Sequence, residues 1–145
     1  MTKYEIKDNI NIRPTIKGMG LGANFAFTLS SLSFLAAHPN GATILLTLFP
    51  ALVSVFFFNR LKEQNKINDD IIKKYKLKDI KDIPTYAILN GVTEIQTLIF
   101  LSDLPSNKNI LNIIVTMLSG GMAIYSFCKL IDNIKYNAQT IDKTK

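Results

Sequence analysis

Four stretches of the chain are almost free of charge, and polar segments separate them. They cover residues 19–37, 42–58, 84–101 and 110–131. Each is close to the ~20 residues a helix needs to cross a ~30 Å hydrocarbon core. A water-soluble helix of that length would carry charges along its outer face. Only Glu94 and Lys129 fall within the four stretches, and Lys129 stands near a helix end, where it can snorkel. The pattern predicts an all-α membrane protein: a four-transmembrane-helix bundle of two antiparallel hairpins, with a short amphipathic cytoplasmic helix between spans 2 and 3.

The polar segments give the remaining organisation. Residues 1–18 form a cytoplasmic N-terminal segment, in which Pro14 argues against one continuous helix. A basic start ahead of an apolar run has the outline of a secretory signal. Phe34 and Leu35, however, stand where cleavage wants a small residue, so the first span is expected to be retained. His38-Pro39-Asn40-Gly41 reads as a tight turn, with His38 in a structural role or simply exposed. Residues 59–83 form a cytoplasmic loop. Within it, Asn68-Asp69-Asp70 ahead of a basic run reads as the N-cap of the short helix, which lies on anionic lipid headgroups or docks a cytoplasmic partner. Pro84 suits the first turn of span 3. Residues 102–109 close the second hairpin, and residues 132–145 form a polar cytoplasmic tail.

Charge sets the orientation. Lys and Arg number four in 1–18, eight in 59–83 and four from Lys129 onward, against one, Lys108, in the two outer turns. Basic residues mark the cytoplasmic face, so both termini lie inside. This is a multi-pass membrane protein, of the cytoplasmic (inner) membrane if bacterial. The net charge of +6 does not imply nucleic acid, because the bases partition between loops instead of interleaving with aromatics. The single cysteine, Cys128, excludes an intramolecular disulfide and a cysteine metal site. No metal or cofactor site is expected.

Each span carries small or polar residues at helical spacing: Gly20, Asn24, Thr28 and Ser31; Thr43, Thr47, Pro50 and Ser54; Asn90, Glu94 and Thr97; Asn112, Thr116, Ser119, Gly120 and Ala123. Helices in lipid associate where small residues let backbones approach and polar side chains bond across, so the four stripes imply one compact bundle. Gly18 and Gly22 add a G-x-x-x-G motif. Pro50, Gly120 and Gly121 are hinge candidates. Gln96 is off the stripe and marks an outward contact or a tolerated exception.

The candidate chemistry is the intramembrane polar site Glu94, Asn90, Thr97, Thr116 and Ser119. Glu94 is central in span 3, and matching depths make Thr116 and Ser119 its expected partners. One reading is a proton or cation site. The other, preferred, is a neutral glutamic acid that ties spans 3 and 4 together. There is no nucleophile–base set, phosphate-binding glycine loop or metal-ligand spacing, so an enzyme is not expected. The sequence reading is a small integral membrane protein acting through protein–protein contacts, as an accessory subunit of a membrane complex or an immunity-type protein. The alternative is a small oligomeric transporter or channel using Glu94. The partners implied are the lipid bilayer and a second copy or another membrane protein.

Overall fold

The structure, a computed structural model, describes residues 1–103, 106 and 109–144. The turn assigned to 102–109 therefore lies in part, Lys108 included, outside the described residues. The described residues fold as four helices: α1 Lys3–Ala37, α2 Gly41–Lys74, α3 Pro84–Asp103 and α4 Ile110–Lys143. By length and composition α1, α2 and α4 can each cross a membrane. Helix α3 is long enough at 20 residues, but Asn90, Thr93, Glu94, Gln96 and Thr97 make it less apolar.

Local chemistry starts and stops the helices. Thr2 and Glu5 cap α1 reciprocally, Thr2 Oγ1 accepting from the Glu5 amide at 3.2 Å and Glu5 Oε2 from the Thr2 amide at 2.7 Å. Asn40 and Thr43 do the same for α2, at 3.0 Å in each direction. The His38 carbonyl also accepts from Thr43 Oγ1 at 2.7 Å, which fixes the first turn. Asn109 caps α4. Helix α2 ends with Lys76 in the left-handed region (φ 52°), and the Leu77 amide reaches back to the Ile72 carbonyl at 3.0 Å. That is a Schellman stop with lysine where glycine is usual.

Two expectations about continuity are corrected. Helix α1 runs through Pro14, because Asp8–Ile12 widens into a single π turn. Proline at 14 would crowd the carbonyl of Ile10 in a regular helix, and the wider turn just before it makes room. No separate amphipathic helix follows span 2. Residues 59–74 contain no Gly or Pro, so α2 continues unbroken from Gly41 to Lys74 and only 75–83 connects it to α3. Helix α4 runs on from the apolar stretch into the polar tail as far as Lys143, a point on which the sequence pattern sets no expectation.

The packing is an open row, not a closed bundle. α2 lies on α1, α1 on α3 and α3 on α4, with no comparable packing of α4 back on α2. The central crossing is α1 on α3. A side chain added at Gly18 would come within 2.7 Å of Ala87 Cβ; one at Gly22 would strike the Ile88 carbonyl, and one at Gly91 the Met19 carbonyl. The G-x-x-x-G motif is therefore the seat of the closest approach. Large apolar side chains from Phe25 to Phe58 and from Leu98 to Phe127 are exposed, as a lipid-facing band requires. At the other end, Ile6, Ile10, Ile71, Leu77 and Ile141 form a buried core, continued by Ile83, Ala87 and Leu130. There the first turns of α1 contact both α2 and α4, and the row curls into a collar.

Candidate functional site

Glu94 lies ten residues into α3, about 15 Å along its axis at ~1.5 Å per residue. If α3 spans a membrane, that would be half the thickness of a hydrocarbon core. Its side chain is exposed and, among the described residues, accepts no hydrogen bond and makes no ion pair. It stands in a groove of about 430 Å³ between α3 and α4, walled by Thr97, Leu98, Gly120, Ala123 and Ile124. Were α3 to cross a bilayer, a charge at that depth would cost roughly 2.5–3.5 kcal/mol by insertion scales, and no cation among the described residues stands against it.

The expected bonds from Glu94 to Thr116 and Ser119 are absent, because Glu94 projects toward the open side of the α3–α4 seam. The seam is closed by other residues. Thr97 Oγ1 lies 3.2 Å from Ser119 Oγ, and Ser119 and Thr116 bond back to carbonyls of their own helix at 3.0 and 2.7 Å. One turn below Glu94, Asn90 is fully buried. It donates to the Ala123 carbonyl at 3.2 Å and to Ser126 Oγ at 3.3 Å, while its own Oδ1 has no partner. Ser126 was outside the predicted set, although it continues the α4 stripe 116, 119, 123.

The two glycine pairs behave differently. Gly18 and Gly22 are consumed within the chain. Gly120 and Gly121 are not: a side chain at 120 would meet only Thr97 Cγ2 at 3.7 Å, and one at 121 nothing within 4 Å. Neither they nor Pro50 interrupts its helix. Pro50 is buried in the stripe Thr43, Thr47, Pro50 and Ser54, which packs as predicted, and Ser54 Oγ donates to its carbonyl at 2.9 Å. Gln96 is half-buried.

The collar holds a second polar cluster that sequence reasoning missed. Gln64 and Asn137 are fully inaccessible. Gln64 Nε2 donates to the Asn9 carbonyl at 3.1 Å, and Lys17 Nζ donates to Gln64 Oε1 at 2.8 Å. Burial, helped by nearby Arg13 and Arg60 and opposed by Glu63, holds the Lys17 ammonium below its ordinary value of 10.5. Asn137 pairs with both backbone groups of Lys81, accepting at 2.8 Å and donating at 3.1 Å, and donates to Asn11 Oδ1 at 3.1 Å. The π turn thus points Asn9 at α2 and Asn11 at α4. Lys7 and Asp142 add an ion pair at 2.8 Å. The available signal was the α4 stripe running on as 126, 130, 137 and 141, beyond the end of the apolar run. Among the described residues no group of three or more His, Cys, Asp or Glu side chains could hold a metal ion. No family model, curated protein or solved structure matches this chain.

Proposed function

We propose that the chain is a four-span membrane protein with both termini in the cytoplasm, acting by contact with another membrane protein and not by catalysis. An accessory subunit or an immunity-type protein fits this description. The observation that carries the reading is the open row. Two adjoining features that membrane proteins ordinarily bury, a midplane carboxylate and a bare glycine pair, face outward and unmatched. The lysines of 59–83 are proposed to rest against anionic headgroups. The test is photocrosslinking in native membranes from benzophenone side chains placed singly at exposed positions of α3 and α4. A discrete adduct supports a contact function; a wholly unlinked protein at every position opposes it. Topology is checked with Cys128→Ser. A cysteine at Ser106 should react with an impermeant thiol reagent from outside, and one at Lys66 should not.

A second reading, an oligomeric transporter or channel, draws on Glu94 facing the groove. Four helices in an open row enclose no pore, so several copies would be needed. Rapid labelling of a cysteine at position 94 by the same reagent supports this reading, since it requires water at the midplane.

A further inference from the structure

We infer that the Glu94 groove is a docking site for a transmembrane helix of another protein, one that carries a lysine or arginine near the middle of its span. This rests on the contact reading above and names the chemistry of the partner.

Three observations converge on it. First, of the groove's polar side chains, Thr97 is satisfied by the Thr93 carbonyl at 2.7 Å and by Ser119, leaving the Glu94 carboxylate as the unmatched group. A carboxylate in hydrocarbon is matched best by a cation that donates to it. Second, this chain cannot supply that cation. The four spans contain no Lys, Arg or His except Lys129. Lys129 is nine residues from Gly120, about 13 Å along α4 at ~1.5 Å per residue, and lies over the Tyr125 ring at 5.9 Å. A second copy would bring only another Glu94 to this depth, placing like charges together. Third, the wall beside Glu94 is bare backbone at Gly120, where an added side chain would meet only Thr97 Cγ2 at 3.7 Å, and the next residue, Gly121, is open to the outside with nothing within 4 Å. Such a surface admits another helix closely. A groove of this shallow form suits a rod better than an enclosed small ligand.

The depth fixes the register. The partner's base must lie about 15 Å from either face of the core, where it cannot snorkel and is itself in need of an acid. The match removes two intramembrane penalties at once, which gives selectivity over ordinary apolar helices.

The test uses the full-length protein in phosphatidylcholine vesicles, with an energy-transfer donor on its exposed Cys128. Two acceptor-labelled transmembrane peptides of leucine and alanine are compared, one with a central lysine and one with leucine there. The lysine peptide should associate about tenfold more tightly or better, the range of a charge-assisted bond. Glu94→Gln should reduce it to the level of the leucine peptide. Gly121→Leu, at a position where the added side chain touches nothing in its own chain, should weaken lysine-peptide binding while leaving the fold intact. Equal binding of the two peptides, or a lysine preference that survives Glu94→Gln, overturns the proposal. So does transfer between donor- and acceptor-labelled copies of the protein alone that is lost in Glu94→Gln, since the occupant is then a second copy. A crosslink from position 121 in native membranes that persists in Glu94→Gln also overturns it, while leaving the contact reading standing.

Discussion

On the proposed topology, the membrane half and the cytoplasmic collar are built on opposite rules. In the collar, apolar side chains turn inward, and Ile6, Ile10, Ile71, Leu77 and Ile141 form a core that water would drive together. In the membrane half the large apolar side chains face outward. The interior is glycine, alanine, serine, threonine and asparagine, because lipid gives no hydrophobic reward for burying leucine against leucine. Both halves place asparagines at helix contacts, yet to different effect. Asn137 has three hydrogen bonds across elements. Asn90 has two, with an orphaned oxygen. The collar is closed and satisfied; the membrane half is open and unfinished on the side of Glu94.

The sharpest way to break this comparison is at the α1–α3 crossing, where Gly18, Gly22 and Gly91 bring the two backbones together. Gly22→Ile should cost at least about 3 kcal/mol, the upper range of overpacking, because the Ile88 carbonyl lies where the new Cβ must go. Unfolding in mixed micelles followed by circular dichroism measures it. Next comes the paired substitution. Asn137→Leu should cost about 2–3 kcal/mol, since it strands the Lys81 backbone groups and Asn11. Asn90→Leu should cost about 0.6 kcal/mol, the average for bonds between membrane helices. Equal costs would mean the two halves do not obey different rules. An effect smaller than that of Asn137→Leu, and of opposite sign, sharpens the collar's boundary. Lys76→Gly should stabilise by about 1 kcal/mol, because lysine at φ 52° bears a left-handed penalty that glycine avoids.

The smallest effect is one of pH. Folded Lys17 holds its proton less tightly than the unfolded residue does. Its charged form therefore costs stability below the folded-state value, and that cost is relieved as the pH rises toward 10.5. Wild type should gain slightly over this alkaline window relative to Lys17→Met, whose side chain does not titrate. A parallel pair of melting curves across the window would remove Lys17 from the collar's energetics.

The apolar runs, the helical character and the stripe Thr43–Ser54 were legible because hydrocarbon excludes charge and helical spacing groups residues by face. The helix ends were not. The change of composition at Asn59 marks where the apolar run stops, not where hydrogen bonding along the backbone stops. Pro14 misled for a related reason: its cost is local, and one π turn absorbs it. One compact bundle was expected because each helix was assigned a single adhesive face. In fact α1 carries two, Gly18-Gly22-Ala26 toward α3 and Gly20 toward Phe57 of α2. α3 also carries two, Ala87-Gly91 toward α1 and Asn90-Thr97 toward α4. Two-faced helices in the middle and one-faced helices at the ends make a row. Glu94 could be placed at mid-depth from sequence, but its azimuth depended on which of those faces met α4.

Helix α2 passes from the outer turn to the collar as one rod of 34 residues, about 51 Å at ~1.5 Å per residue. A rod longer than the bilayer is thick works as a lever whose fulcrum is the α1 contact along Thr43 to Ser54. If a neighbour seated beside the row tilts α2 by a few degrees, there is no joint at the membrane surface to absorb the swing. On the proposed topology, the displacement would arrive at Gln64, carrying an event within the lipid to the collar's buried polar cluster.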